Sequence, residues 1–112
     1  MNPIHQELAG GRWNTMSCCE QLANVGSEVE RAIKWKLKGN SEYMLRAFER
    51  ALELLDLTIS DKKNRQRLRE LVRTREALAD FFVFENSYNS SETIWRNYFN
   101  GFAYAARLRA GK

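Results

Sequence analysis

Proline and glycine are scarce in this chain, with one Pro and six Gly in 112 residues. That is too few for the many tight turns of a β-sandwich. Cysteine is equally sparse. Cys18 and Cys19 are adjacent, a spacing that rarely closes a disulfide, and one pair makes no disulfide framework. They read as two small apolar residues at a helix start in a reduced compartment, and a redox role is the lesser alternative. His5 is the only histidine, so a zinc site lacks ligands and neither metal nor cofactor is expected. No apolar run approaches the roughly 18 residues of a membrane span. The opening MNPIHQELAGG has neither the basic start nor the apolar stretch of a signal peptide. The expected location is the cytoplasm, without membrane contact.

Catalytic signatures are missing too. There is no G-x-S-x-G, no P-loop, no glycine-rich dinucleotide turn and no paired His. Glu28 with Glu30, or Glu49 with Glu53, would pass for an acid–base pair, but helix surfaces offer such pairs constantly. No internal repeat is visible.

What remains is an ordinary globular composition, 44% hydrophobic and 29% charged, in a length that builds one domain. Residues 1–12 are expected to form a short N-terminal arm, and residues 13–112 a bundle. The best-defined segment is YMLRAFERALELLDLTI, residues 43–59. Its apolar residues Tyr43, Met44, Ala47, Phe48, Ala51, Leu52, Leu54, Leu55 and Ile59 cover roughly half of a helical wheel, which implies neighbours on two sides. Before it, Ser17 and Glu20 make an S-x-x-E capping box. Cys18, Leu22, Val25, Val29, Ala32 and Ile33 then form one stripe, closed at Gly39. Gly26 interrupts that helix near its flank, which points to a close helix contact. Asn40 or Ser41 caps the second helix.

A third helix carries Leu68, Leu71, Val72, Leu78, Ala79 and Phe82, with Arg75 inside the stripe. The polar ENSYNSS, residues 85–91, is the longest internal loop. A fourth helix carries Ile94, Trp95, Tyr98, Phe99, Phe102, Ala105 and Ala106, capped by Ser90 or Ser91. These patterns predict an all-α fold, an antiparallel four-helix bundle with helices over 17–38, 41–60, 62–84 and 91–109. Trp13 is expected as an apolar plug before the first helix. Phe81, Phe82, Phe84, Tyr98, Phe99, Phe102 and Tyr104 are expected in the core.

Three features bear on function. A guanidinium inside an apolar stripe requires a carboxylate or several carbonyls, so Arg75 is either tied into the scaffold or an anion ligand. The net charge is +4, and seven of the eighteen Lys and Arg residues lie between Lys62 and Arg75. Lys62, Arg65, Arg69 and Arg73 fall on the outward face, without aromatic residues to stack on bases, so nucleic acid is the less favoured partner. Trp35 lies off its stripe between two lysines, a position suited to intrachain edge packing or to a partner contact. Trp35 and the Trp95 end of the core are the expected contact surfaces of a homodimer.

Two resemblances accompany this reading. KGNSEYMLRAFERALELL, with Gly39, Phe48, Ala51 and Leu52, looks like the second helix of a tetratricopeptide repeat, although Met44 stands where that family favours Ala and only one copy is present. SCCEQLANVGSEVERAIKWKLKGN, AFERALELLDLTI and LRELVRTREALADFF together resemble a group of short prokaryotic helical-bundle proteins of no established activity. Their general shape is similar to HEPN bundles, which bind nucleotides, often act as RNases and carry Arg-Asn, three residues, then His on a late helix. Arg96 and Asn97 match that motif, and Gly101 stands where the His belongs. The favoured expectation is a non-enzymatic bundle acting through protein contacts. The alternative is a HEPN-like nucleotide- or RNA-binding module without the catalytic His, using Arg75, Arg96 and Asn97.

Overall fold

A computed structural model describes residues 11–110. They form four helices, α1 (Cys18–Leu37), α2 (Ser41–Ser60), α3 (Leu68–Phe82) and α4 (Glu92–Ala110). Two 3₁₀ turns, Arg12–Thr15 and Lys62–Arg67, precede α1 and α3. There is no strand among the described residues, and the fold is an all-α antiparallel bundle. No helix among them is long and apolar enough to cross a membrane. The arm expected over residues 1–12 lies, as far as residue 10, outside the described residues.

Local hydrogen bonds set the helix ends. Ser17 and Glu20 complete the capping box of α1, each side chain accepting from the other's backbone N–H at 3.1 Å. At the far end, the Gly39 N–H donates to the Lys36 carbonyl and the Asn40 N–H to the Trp35 carbonyl, both at 3.0 Å. This is the Schellman pattern, and it requires the positive φ of 76° that Gly39 adopts. Asn40 then accepts from the Tyr43 N–H to start α2, and Ser91 from the Ile94 N–H to start α4. The 83–91 loop is held by Asp80, whose buried carboxylate accepts from the backbone N–H groups of Ser87 (2.9 Å) and Tyr88 (3.0 Å).

α2 packs on α1 and α3, as its wide stripe requires, and α4 packs on α1. The organising role is therefore shared with α1, whose Leu22, Val25, Ala32 and Ile33 are fully buried. Gly26 is the close contact that its place in α1 suggests. A Cβ built there would lie 2.6 Å from Phe99 Cβ, so only glycine lets α4 approach this far.

A second core is polar. Gln21, Thr58, Asn64 and Asp61 are buried together under Trp13, on the 3₁₀ turn before α1. Gln21 Nε2 donates to the Trp13 carbonyl (3.0 Å) and to Asp61 Oδ2 (2.9 Å), while its Oε1 accepts from Asn64 Nδ2 (2.8 Å). Asn64 also donates to the Thr58 carbonyl (2.9 Å), and the Trp13 indole N–H to Thr58 Oγ1 (3.2 Å). Every polar hydrogen of the two amides is used. Burial alone would push the Asp61 carboxyl up, but hydrogen bonds from Lys63 and Gln21 hold it below its usual value.

α3 departs from expectation. Leu68 and Val72, placed in its core stripe, are 42% and 38% exposed, while Thr74, Asp80 and Phe81 are buried. α3 packs mainly on α2 and meets α4 through side chains such as Glu70 and Thr74 against Tyr98, because α4 leans on α1, so only a narrow face is covered. Thr74 and Asp80 tolerate burial because each is hydrogen-bonded, Thr74 to the Glu70 carbonyl and Asp80 to the loop. α3 also ends two residues before the expected Phe84. Phe84 and Tyr104, expected in the core, are exposed, as is Ile94 of the α4 stripe.

Candidate functional site

The basic run divides according to its partners. Lys63 pairs with Asp61 and donates to the Asn14 carbonyl. Arg67 reaches both carboxylate oxygens of Glu70 at 3.1 Å. Arg75 pairs with Asp56 of α2, Nε to Oδ1 at 2.7 Å. Lys62, Arg65, Arg69 and Arg73 are exposed and have no ion pair among the described residues. The cationic density of the sequence is thus roughly halved, because three of the seven charges are held by carboxylates.

Arg75 meets a carboxylate from the neighbouring helix, as its wheel position requires, but not in the core. Its side chain is 40% exposed and that of Asp56 53%, because α3 is rotated so that Arg75 lies on the rim of its buried face. The cost of a lone buried charge does not apply at such a site. Arg75→Met is therefore expected to lower stability by only about 0–1 kcal/mol, read from urea unfolding. A loss of several kcal/mol would show that the pair is desolvated in solution.

Arg96 is held by Glu30 of α1 through two bonds, Nε–Oε1 at 2.8 Å and Nη2–Oε2 at 2.9 Å. Hydrogen bonding to Glu30 raises its already high pKa further. Asn97 beside it is exposed. Arg75 thus faces α2 while Arg96 faces α1, and the two do not join with Asn97 in one site. Trp95 is buried against Tyr98 and Phe99, so it offers little surface to a partner. Its Nε1 is buried with no acceptor among the described residues. Trp35 is half-buried, edge-on to Tyr43 with ring centres 4.8 Å apart, and Lys38 Nζ lies 5.0 Å from its ring.

A cluster absent from the sequence reading links α3 to α4. The Tyr98 hydroxyl donates to Glu70 Oε2 at 2.9 Å and lies 3.2 Å from Thr74 Oγ1. Burial, reinforced by the negative charge of Glu70, pushes the Tyr98 phenol up to about 12. Arg67 stands over the Phe102 ring at 5.1 Å and reaches Cys18 Sγ at 3.8 Å. Burial raises the Cys18 thiol pKa, with Arg67 pulling against it. The protonated phenol donates to Glu70 and the protonated thiol accepts from Arg67, and neither is activated as a base or a nucleophile. The i, i+4 spacing of Glu70 and Thr74 was visible in the sequence, but their meeting with Tyr98 depends on how α3 and α4 diverge.

Among the described residues, three of the bundle's clefts lie between helices. One of about 300 Å³ runs between α1 and α4 beside Gly26 and the Arg96–Glu30 pair. Another, of about 380 Å³, lies between α3 and α4 along Thr74, Ala77, Ile94 and Trp95. The smallest, about 190 Å³, lies between α1 and α2 and is lined by Arg31, Trp35, Tyr43, Arg46 and Arg50. Among the described residues no group of three or more His, Cys, Asp or Glu side chains is placed to hold a metal ion. In comparisons with known proteins, no family model, curated protein or solved structure matches this chain.

Proposed function

We propose that this chain is a non-enzymatic cytoplasmic bundle that acts through protein contacts and associates with itself. The observation that carries this reading is that six of the eleven large apolar side chains exposed among the described residues belong to one end of the bundle. The bundle end where α1 and α3 finish and α2 and α4 begin carries Leu37, Tyr43, Val83, Phe84, Tyr88 and Ile94, all exposed. Lys36 spans this end, pairing with Glu92 and lying 4.9 Å from the Phe81 ring. Apolar side chains gathered at one place mark an interaction surface more often than scattered ones do. The absence of an activated group in the Tyr98 and Cys18 cluster also favours binding over catalysis.

This reading moves the contact from Trp95, which is buried, to its neighbour Ile94 and to Leu37 and Phe84. Trp35 remains at the flank of the patch, but Trp35→Ala also removes its packing on Tyr43 and is the poorer probe. The nucleotide- or RNA-binding alternative has less support, since Arg75 and Arg96 are both held by carboxylates on different helices. Sedimentation over a concentration series tests the proposal. The wild-type protein should move from monomer to dimer, and Leu37→Ser/Phe84→Ser should stay monomeric with unchanged helical circular dichroism. A wild-type protein that remains monomeric at its solubility limit overturns it.

A further inference from the structure

The α1–α2 cleft holds an unusual concentration of one charge. Arg31 and Trp35 stand four residues apart on α1, facing Tyr43, Arg46 and Arg50, which follow at three and four residue steps on α2. Lys38 adds a fourth cation over the Trp35 ring. None of the described residues that line the cleft is a carboxylate. The nearest compensation is weak. Arg31 reaches Glu28 one turn back at 3.3 Å, and Arg46 reaches Glu42 one turn back at 2.8 Å, with both arginines more than half exposed. The Arg46–Glu42 pair is exposed on both sides and yields readily to a stronger anion, whereas Glu28 is largely covered and keeps a firmer hold on Arg31. Arg50 has no ion pair among the described residues and stands four residues from Arg46 on the same face, a repulsive arrangement. Tyr43 and Trp35 supply an aromatic wall, and the Arg46 guanidinium lies 5.5 Å from the Tyr43 ring.

We propose that this cleft binds a phosphomonoester, its dianion held by Arg31, Arg46 and Arg50 and its organic group laid against Trp35 and Tyr43. Planar guanidiniums match phosphate oxygens in paired, charge-assisted hydrogen bonds, and a dianion relieves the repulsion among the three. A volume of about 190 Å³ holds a phosphate with part of its organic group, so the remainder projects into solvent. The three arginines lie beside the apolar end patch, but Tyr43 belongs to both, so the titration is carried out at a concentration where sedimentation shows a monomer.

Calorimetric titration of the full chain with phenyl phosphate, adenosine 5′-monophosphate and inorganic phosphate, at fixed ionic strength, tests this. Phenol and adenosine serve as the phosphate-free counterparts. Saturable binding is expected for the two esters, weaker binding for inorganic phosphate, and none for phenol or adenosine. Arg50→Gln should weaken the esters about tenfold or more, the range for losing a charge-assisted hydrogen bond. Arg73→Gln removes the same charge from an exposed, unpaired site on α3 and should change affinity less than about twofold, as a screened distant charge does. The Trp35 indole N–H resonance, assigned with Trp35→Phe, should shift on ester binding. Equal weakening by Arg50→Gln and Arg73→Gln would reveal a diffuse charge effect and overturn the site. So would an absence of saturable ester binding, or an unmoved Trp35 resonance at saturation.

Discussion

Gln21→Leu is expected to remove about 3 kcal/mol or more of stability. Gln21 is fully buried, and its amide holds three partners that no other group can reach in its place: the Trp13 carbonyl, Asp61 Oδ2 and Asn64 Nδ2. Leucine has nearly the same volume, so no cavity opens and the loss is one of hydrogen bonding. Each buried polar group left without a partner costs about 1–3 kcal/mol. Asp61 retains Lys63 and is the least affected, whereas the Trp13 carbonyl and the second Asn64 hydrogen are stranded. Against a total of about 5–15 kcal/mol, this is a large fraction. Urea unfolding reads it directly, and the 3₁₀ turn at Trp13 should lose amide-exchange protection first. A loss below about 1 kcal/mol would mean that water enters and satisfies the network.

Gly26→Leu carries the other large effect. The substituted Cβ would stand 2.6 Å from Phe99 Cβ and 3.0 Å from Phe99 Cγ, closer than carbon atoms pack. The obstructing atom is bonded to the partner's backbone, so rotating the Phe99 ring does not relieve it. α4 must move away from α1, or the new side chain must take a strained rotamer. Overpacking of this kind costs about 1–3 kcal/mol for a small insertion and occasionally more, so leucine should lose about 3 kcal/mol. Gly26→Ala separates the two contributions. Alanine gains up to about 1 kcal/mol of helix propensity and should still lose net stability. Phe99→Ala should not rescue either variant, because it keeps the clashing carbon. A stabilised Gly26→Ala would show that α4 slides on α1 at little cost.

Both residues show how far the sequence carries. Gly26 was legible as a contact, since a glycine in a helical stripe otherwise only weakens the helix. Its partner was not, because the stripe of α4 offers several aromatic residues and periodicity assigns no pairing between helices. Gln21 was invisible. A buried amide and a solvated one look alike in a sequence, and its partners Asp61 and Asn64 lie 40 and 43 residues away. The same holds for Arg31, Arg46 and Arg50, which lie on two helices and meet only because the short turn at Gly39 folds α2 back along α1.

By itself the sequence determined the four helices, the cap at Ser17, the other two caps to within one residue (Asn40 or Ser41, Ser90 or Ser91), the turn at Gly39 and the antiparallel course of the chain. These depend on hydrogen bonds and side-chain spacings within a few residues, which the order of amino acids states directly. Tertiary structure alone decided that α4 packs on α1 and leaves α3 with a narrow buried face. That choice exposed Leu68 and Val72, carried Arg75 to the rim beside Asp56, and brought Tyr98 to Glu70. A helical wheel gives the width of an apolar stripe but not which flank meets a neighbour. The flank is set by how side chains of different helices fill the space between them, and contacts such as Gly26 against Phe99 exist only once the helices have met.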